Sequence, residues 1–362
     1  MMNFKNIFFL SILFLPNVAG AQPVESKIFK VGVIAPLSGP LAEYGVAAKN
    51  GIHTAVGNSP DDFSNVEFIY EDSQWISKNA LSAFEKLRSV ENVSLILNWG
   101  NPTTEALAPV AESTKTPLIG MTLDPKVAIG KKYVVRSTNA SDEFSESLAQ
   151  YLYEKKYQKI GVVVAENTYV QGLYDGLESW LGEGMHIEIV ESFNMSDNNF
   201  RSAISKIRAK KYDAIGVFLI SGQVSTFYRQ LAEQKITVPT FGTDFFESTS
   251  EIEDANGGMD GAVYPHLGTS EEFRKKYIAR YGNDFQIAYA GNWHDMALVI
   301  GSLFNEQPDL TNDEIMMKIH KSTFYKGVCG EFKFIENENG GPHFSFPVKM
   351  KKINGLTISE IK

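Results

Sequence analysis

The sequence predicts an α/β fold with two lobes, each a largely parallel sheet covered by helices. Apolar, strand-like runs alternate with helical stretches along much of the chain, as in parallel sheets. Two such series follow one another, and the second begins near Ser141. The chain has 362 residues, which is more than a single hydrophobic core usually supports. We therefore expect two lobes rather than one large domain.

The first 21 residues have the three parts of an export signal. Lys5 supplies a positive charge, Ile7 to Leu15 form an apolar run, and residues 19–21 make an A-x-A cleavage site. The apolar run is too short for a membrane anchor, because a bilayer core needs about 20 apolar residues. We expect cleavage before Gln22 and a soluble, periplasmic product.

The first series contains four predicted strands and three predicted helices. The strands are Lys30 to Ala35, Val66 to Glu71, Leu95 to Leu97 and Pro117 to Gly120. The helices are Gly45 to Val56, Ser77 to Ser89 and Thr103 to Ser113. Each helix lies between two strands, as expected for crossover connections in a parallel sheet.

The second series repeats this order. Its helices are Glu143 to Lys156, Gln171 to Leu181 and Phe200 to Lys210. Its strands are the KIGVVVAE run, Ile187 to Ser192 and Ala214 to Leu219. After Phe246 come a glycine-rich stretch, an amphipathic helix and a longer apolar helix. The final segment alternates apolar and polar residues around a polar turn, which predicts antiparallel strands.

Charge and cysteine content exclude several classes of protein. The formal net charge is −9, and we find no basic cluster beside aromatic residues, so nucleic acid is not an expected partner. Cys329 is the only cysteine, which rules out an intrachain disulfide. It stands in GVCGEF without a catalytic signature, so we interpret it as a small buried residue.

Enzyme and metal-site motifs are missing from the sequence. The chain has no G-x-S-x-G, H-E-x-x-H, phosphate-loop or dinucleotide-binding pattern. His294 and Asp295 are neighbours on a predicted helix, where adjacent side chains face different directions, so packing or capping explains them better than catalysis. Residues 336–339 (ENEN) lack the spacing of a calcium loop. We expect neither an enzyme nor a bound metal or cofactor.

Several segments, in order, resemble one family. They are the G-P-L-A-x-x-G loop at 39–45, the acidic turn at 70–73, APVAE at 108–112, NNFRSAISKIRAKKYDAI at 198–215 and GVCGEF at 327–332. Together they resemble the type I periplasmic binding proteins, and specifically the branched-chain amino acid-binding proteins of ABC transporters. The resemblance covers nearly all of the chain after the export signal.

The resemblance implies two Rossmann-like lobes joined by a three-crossing hinge, with a ligand cleft between them. It places lobe 1 at 28–138 plus 264–341, and lobe 2 at 139–263 plus 342–362. Rotation about the hinge is the expected motion on ligand binding. We expect a monomer that works with an inner-membrane ABC permease.

Ligands of open α/β sheets bind beyond the carboxyl ends of the strands, so the loops there supply the candidate residues. From lobe 1 these are Ser38, Tyr44, Asn101, Thr122 and Asp124. Tyr44 stands where the family often has an aromatic cover, and packing on its own lobe is the alternative role. Asn101 stands where a serine commonly holds the ligand carboxylate, and capping the helix start is the alternative role. Thr122 corresponds to a backbone carbonyl position. Asp124 replaces a Thr or Ser of the family, and its alternative role is to cap the turn before Pro125. Trp99 is interpreted as a core residue.

Lobe 2 supplies the other candidates. Tyr169 matches the tyrosine that closes over the ligand, and Ser221 or Ile220 stands where relatives have another tyrosine. Asp244 occupies the position of the acid that pairs with the ligand ammonium, and Phe245 adds an apolar wall. Asp124 is the second candidate for the ammonium end.

The expected function is capture of a small ligand, with a zwitterionic amino acid first among the candidates. The replacements at Asp124 and Ser221 make leucine-like specificity uncertain, so amides, urea and aromatic carboxylates remain alternatives. A regulatory subunit that senses its ligand and transports nothing is a second interpretation. An exported hydrolase is the third.

Overall fold

The computed structural model describes residues 28–305, 310–323, 325–336 and 340–361. They form two α/β lobes, each built on one mixed sheet, which confirms the predicted fold class. The predicted export signal lies outside the described residues. None of the helices in these ranges has both the length and the hydropathy needed to span a membrane.

Within these ranges the strands, in chain order, are β1 (Phe29–Ala35), β2 (Val66–Asp72), β3 (Leu95–Trp99), β4 (Leu118–Met121), β5 (Val134–Arg136), β6 (Lys159–Ala165), β7 (His186–Phe193), β8 (Ala214–Phe218), β9 (Thr240–Gly242), β10 (Val263–Leu267), β11 (Tyr325–Gly327), β12 (Gly330–Ile335), β13 (His343–Ser345), β14 (Val348–Asn354) and β15 (Thr357–Glu360). The α-helices are α1 (Ala42–Asn58), α2 (Ser77–Ser89), α3 (Asn101–Thr114), α4 (Ser141–Glu154), α5 (Thr168–Trp180), α6 (Arg201–Lys210), α7 (Gln223–Glu233), α8 (Thr249–Asp254), α9 (Glu271–Tyr281), α10 (Ile287–Asn305) and α11 (Asn312–Lys321).

Lobe 1 has an eight-stranded sheet in the order β11-β12-β13-β5-β4-β3-β1-β2. Strands β1 to β5 pair in parallel, and β11 and β12 are antiparallel, as the alternating tail predicts. Lobe 2 has a seven-stranded sheet in the order β15-β14-β10-β9-β8-β6-β7, with antiparallel pairing only at β14 and β15. Central strands such as β3 are wholly buried, because helices cover both faces of a parallel sheet.

Helices α1 and α10 pack closely against each other in lobe 1. The approach depends on Gly51, because a Cβ at this position would lie 2.1 Å from the backbone oxygen of Ala290. The two helices carry Tyr44 and Tyr289, whose ring centroids are 5.3 Å apart. The glycine thus brings two aromatic side chains of the cleft together.

The chain crosses between the lobes three times, at 137–140, 268–270 and 346–347. Two of the predicted lobe boundaries need correction. Strand β10 pairs with β9 and β14, so lobe 2 continues to Leu267 rather than 263. Strand β13 pairs with β5 and β12, so lobe 1 continues to Ser345 rather than 341. The pairing of β10 and β13 sets these boundaries. The motifs that carry the family resemblance do not lie close enough to Leu267 or Ser345 in the chain to locate them.

Glu143 ties the first and third crossings together. Its carboxylate accepts hydrogen bonds from the Ala140 backbone N–H (2.9 Å) and the Ser345 hydroxyl (2.8 Å), and lies 3.1 Å from His343 Nε2. Burial raises the pKa of this carboxyl, but His343 and the hydrogen-bond donors outweigh it and lower the pKa to about 2. Asn139 adds two hydrogen bonds to the backbone of Phe346. The hinge therefore contains an ionised, half-buried carboxylate.

A second buried carboxylate, Glu247, joins the lobes directly. Only 3% of the residue is exposed. One oxygen accepts from Lys351 Nζ (2.7 Å) and lies 2.9 Å from His266 Nδ1, while the other accepts from the Ala288 backbone N–H at the start of α10 (3.1 Å). Burial raises the pKa of Glu247, but Lys351 and His266 outweigh it and hold the pKa far below its usual range. A lobe 2 carboxylate thus caps a lobe 1 helix.

Glu143→Gln is expected to reduce the loss of folding stability that the protein undergoes at low pH. The folded-state pKa lies below 4.5, so the stabilisation is present above pH 4.5 and is lost as the pH falls toward 2. The difference in the free energy of unfolding between wild type and variant should be about 2 kcal/mol smaller at pH 3 than at pH 7. Urea unfolding at both values measures it, with Glu146→Gln on the exposed face of α4 as the control. An unchanged gap would contradict the role of Glu143.

Lys351→Met is expected to lower the free energy of unfolding by about 3 to 5 kcal/mol, because it leaves the buried Glu247 carboxylate without its ammonium partner. Urea unfolding at pH 7 measures the loss. Lys349→Met is the matched control, since Lys349 lies on the same strand and is exposed. Equal, small losses in both variants would show that the Lys351 to Glu247 ion pair, which lies within lobe 2, contributes little to stability.

Candidate functional site

The cleft between the lobes contains two adjoining cavities with free volumes of about 20 and 40 Å³. They share walls formed by Met121, Leu123, Tyr169, Asp244 and Tyr289. The smaller, here called the apolar cavity, continues toward Phe144, Leu173, Pro265 and Leu267. The larger, here called the indole cavity, continues toward Trp75, Trp99, Asn101 and Phe245. Both lie beyond the carboxyl ends of strands, where the sequence predicts the site.

Asp244 lies between the two cavities. It begins the 3₁₀ turn Asp244–Glu247 after β9 and is only 5% exposed. Its two carboxylate oxygens accept hydrogen bonds from the hydroxyls of Tyr169 and Tyr289. Burial, and then the charge of Asp244, raise the pKa of both tyrosines well above the ordinary value. Both phenols therefore stay protonated and donate to the carboxylate.

The Asp244 bridge connects the lobes, because Tyr169 belongs to α5 of lobe 2 and Tyr289 to α10 of lobe 1. Asn167 fixes the start of α5 by accepting a hydrogen bond from the Tyr169 backbone N–H at 2.9 Å. Phe245 packs edge-on against Tyr169, with ring centroids 5.9 Å apart. An acid and three aromatic rings thus meet at the junction of the cavities.

Tyr44 lies behind this cluster rather than over the cavities. It is fully buried, and its ring centroid is 4.8 Å from that of Trp99 and 6.4 Å from that of Phe245. Its hydroxyl has no hydrogen-bond partner among the described residues. Burial and then Asp244 raise the pKa of this hydroxyl well above its ordinary value. Tyr44 supports the aromatic walls and is positioned by the α1 to α10 contact.

Asn101 presents hydrogen-bond donors to the indole cavity. Its Oδ1 accepts from the Thr122 hydroxyl (2.8 Å) and the Leu123 backbone N–H (3.1 Å). These bonds assign the amide orientation and leave Nδ2 as the inward donor, which has no partner in the described part of the chain. Thr122 itself is fully buried and orients Asn101 rather than lining either cavity.

Besides Tyr44 and Thr122, three more predicted site residues lie outside both cavities. Ser38 is exposed and donates to Asp72 Oδ2 at 2.5 Å, closing the loop after β1. Asp124 accepts from the Lys126 backbone N–H at 2.9 Å and so caps the turn at Pro125, the alternative role. Ser221 donates to Glu251 Oε1 at 3.0 Å, next to the start of α7. Asp124 thus caps local backbone, whereas Ser38 and Ser221 donate to the carboxylates of Asp72 and Glu251, which themselves accept from backbone N–H groups.

Tyr289 and Trp75 are among the cavity residues that the sequence did not identify. Tyr289 lies in the apolar helix α10, where its pattern is that of a core residue. Trp75 follows an acidic turn and carries no motif. Trp99, interpreted as core packing, lines the indole cavity with Trp75. An aromatic residue at the end of a strand (Trp99) or a few residues beyond it (Trp75) was the available signal.

The two sides of the indole cavity carry different polar groups. The indole cavity contains N–H donors on the lobe 1 side and the Asp244 carboxylate on the lobe 2 side. No Lys or Arg is among the described residues that line either cavity. No group of three or more His, Cys, Asp or Glu side chains in the described ranges is arranged to hold a metal ion. The arrangement suits a small dipolar or anionic organic ligand.

The remaining reactive side chains have structural roles. Asp295 is buried and accepts from the backbone N–H groups of Val328 (2.8 Å) and Cys329 (2.9 Å), and His294 Nδ1 lies 3.0 Å from it. Cys329 is buried, as predicted, and burial followed by Asp295 raises the pKa of its thiol well above the ordinary value. This cluster fixes the GVCG turn, so packing and capping account for His294 and Asp295.

Comparison with solved structures shows the same fold elsewhere. A leucine-binding protein from Thermotoga maritima superposes with a TM-score of 0.82 at 20% identity, covering 92% of this chain and 98% of that one. An ABC transporter solute-binding protein from Rhodopseudomonas palustris, in complex with 3,4-dihydroxybenzoic acid, superposes with a TM-score of 0.78 at 19% identity, covering 92% and 96%. At such identities the likeness shows a shared fold.

Sequence comparison shows the family. The Leu/Ile/Val-binding protein BraC3 of Rhizobium johnstonii is 25% identical over 254 residues, which cover 67% of this chain and 68% of the relative. The periplasmic binding protein family model matches residues 29–352, nearly the whole chain after the predicted export signal. The resemblance carried by the sequence motifs is thereby confirmed, and the chain belongs to the periplasmic binding protein family.

Proposed function

We propose that this protein is the solute-binding component of an ABC importer. It captures a small ligand between its lobes in the periplasm and delivers it to an inner-membrane permease, without catalysis. The observation that carries the proposal is the cleft itself, where donors from lobe 1 face the Asp244 carboxylate from lobe 2. A ligand that contacts both sides favours the closed arrangement of the lobes.

The leading ligand class is a zwitterionic amino acid with an apolar side chain. Asn101 and the start of α3 suit its carboxylate, because free N–H groups and the helix dipole favour negative charge there. Asp244 suits its ammonium, which would replace one or both tyrosine hydroxyls as the hydrogen-bond donor. The apolar cavity, with Phe144, Leu173 and Leu267, suits the side chain. BraC3 and the Thermotoga protein are named for branched-chain amino acids, which agrees with this class.

An aromatic carboxylate is the second candidate, and one observation favours it. Tyr169 and Tyr289 satisfy both oxygens of Asp244, so this acid needs no ligand ammonium. The aromatic walls suit a planar ring, and the Rhodopseudomonas relative is described in complex with a dihydroxybenzoic acid. The two candidates differ at Asp244. An amino acid would place its ammonium against the Asp244 carboxylate, whereas an aromatic carboxylate would leave Asp244 bonded to the two tyrosine hydroxyls.

Binding requires movement of the lobes. Free volumes of about 20 and 40 Å³ are far below the roughly 300 Å³ of common ligand pockets. The Tyr289 to Asp244 hydrogen bond and the Ser248 to Glu43 hydrogen bond (2.7 Å) join the lobes across the cleft. Rotation about the three crossings would open these contacts and admit the ligand.

A thermal-shift screen tests the ligand class. L-Leucine, L-phenylalanine, benzoate and urea are added separately at about 1 mM. This is roughly 100 times a dissociation constant of about 10 μM, and binding at that ratio stabilises the folded state by about 2.7 kcal/mol. We expect the amino acids to raise the unfolding midpoint by a few degrees. A shift with benzoate alone would favour the second candidate, and a shift with none would contradict the proposed function.

Asp244→Asn is expected to weaken binding of the amino acid that gives the largest thermal shift by roughly 100-fold, because a charged hydrogen bond to the ligand ammonium contributes about 1.5 to 3 kcal/mol. Benzoate affinity should change little. Titration calorimetry measures both, with Asp254→Asn at the exposed end of α8 as the matched control. Undiminished amino acid affinity would remove Asp244 from its proposed role.

A further inference from the structure

Trp75 lies in a loop whose backbone conformation is unusual. Gln74 and Trp75 are consecutive non-glycine residues with positive φ, 51° and 60°. Such residues cost of the order of 1 kcal/mol each or more, so neighbouring contacts must hold them. The Gln74 N–H donates to Asp72 Oδ1 (2.9 Å), and the Trp75 N–H donates to Ser73 Oγ (3.2 Å). The loop is thus held in the conformation that directs the indole toward α3.

The indole ring occupies space that only glycine leaves open. Gly100 precedes α3 with φ +104°, and a Cβ there would lie 2.7 Å from Trp75 Nε1. The ring nitrogen therefore rests against the backbone at the start of α3. Trp75 lines the indole cavity, and its Nε1–H is buried without a hydrogen-bond partner among the described residues. Leaving such a donor unpaired costs about 1 to 3 kcal/mol.

Two further unpaired donors belong to residues that line the same cavity. Trp99 and Asn101 are 5% and 8% exposed, line the same cavity, and have unpaired Nε1–H and Nδ2–H groups. The Oδ1 of Asn101 is already occupied by Thr122 and Leu123, so this side chain offers only donors to the cavity. The first turn of the 14-residue helix α3 adds partial positive charge. The group is a set of neutral donors with no acceptor.

We propose that Trp75 binds the ligand and donates its indole N–H to a carboxylate held at the start of α3. The proposal rests on the proposed function, because it assigns a further residue to the same cleft. A carboxylate offers acceptors to every donor of this set. A carboxamide presents its NH₂ group to one of them and leaves that donor unpaired. Trp75 therefore selects acids over the corresponding amides.

Titration calorimetry with two matched pairs of probes tests this selection. The pairs are L-leucine with L-leucinamide, and benzoate with benzamide. Trp75→Phe keeps an aromatic ring and removes the N–H. Trp180→Phe makes the same change at an exposed position at the end of α5 in lobe 2 and serves as the control. Far-ultraviolet circular dichroism and the unfolding midpoint establish that both variants fold, which is expected because Trp75 lies on a half-exposed loop.

Wild type and Trp180→Phe should bind the acid of at least one pair more tightly than its amide. Trp75→Phe should weaken acid binding roughly 10- to 100-fold, as expected for a hydrogen bond to a charged group, and change amide binding by less than about 3-fold. The ratio of acid affinity to amide affinity should therefore be smaller in Trp75→Phe than in wild type.

Two results would overturn the role of Trp75 while leaving the proposed function intact. Unchanged acid affinity in Trp75→Phe would show that the indole N–H does not contact the ligand. Equal losses for acid and amide would show a packing role. Failure of wild type to bind any of the four probes would instead contradict the proposed function, and the assignment of Trp75 would fall with it.

Discussion

The relative placement of the two lobes depends on one short turn against the start of one helix. The 3₁₀ turn from Asp244 to Glu247 belongs to lobe 2 and carries two buried carboxylates. Both are bound by the first turn of α10 in lobe 1, through the Tyr289 hydroxyl and the Ala288 backbone N–H. Lys351 compensates the charge of Glu247. Because a buried charge needs its partners, these contacts favour the arrangement described here over an open one that exposes the turn.

The same turn connects lobe closure with ligand recognition. Asp244 lies three residues before Glu247 and forms part of the wall of both cavities. A ligand cation that displaced Tyr289 from Asp244 would replace an interlobe hydrogen bond with a bridge through the ligand. A neutral or anionic ligand would leave the tyrosine bridge in place. The group that bonds to Asp244, a ligand cation or Tyr289, would therefore determine whether the ligand or the protein itself bridges the closed lobes.

On the lobe 1 side, the described residues that line the indole cavity include polar donors but no charged side chain. Asn101, Trp75 and Trp99 present neutral N–H groups beside the N-terminus of α3. Such donors attract an anion less strongly at long range than a lysine would, but they are fixed in direction. The cost of leaving them unpaired penalises ligands that lack matching acceptors. Under the role proposed for Trp75, shape and hydrogen-bond pattern, rather than net charge, would distinguish ligands.

The sequence predicted the two-lobed architecture and most strands and helices, because hydrophobic periodicity reports burial along the chain directly. It also located Asn101, Tyr169, Asp244 and Phe245 in loops that meet at the cleft, since the carboxyl ends of parallel strands share an edge. It could not predict the roles of side chains that bind another polar group of the protein. Ser221, for example, donates to Glu251, whose carboxylate accepts from backbone N–H groups at the start of α7, and such a residue looks like a binding residue in sequence.

By itself, the sequence determined the family and the topology, because these depend on the order of apolar segments and glycine-containing turns. Only the tertiary structure decided which residues face the cleft. Tyr289 and Trp75 are distant from Asp244 along the chain, and their patterns indicate core and loop. They reach the cavities because Gly51 lets α10 approach α1, and because Gly100 leaves room for an indole ring. Contacts between distant segments depend on packing distances, which a linear pattern does not contain.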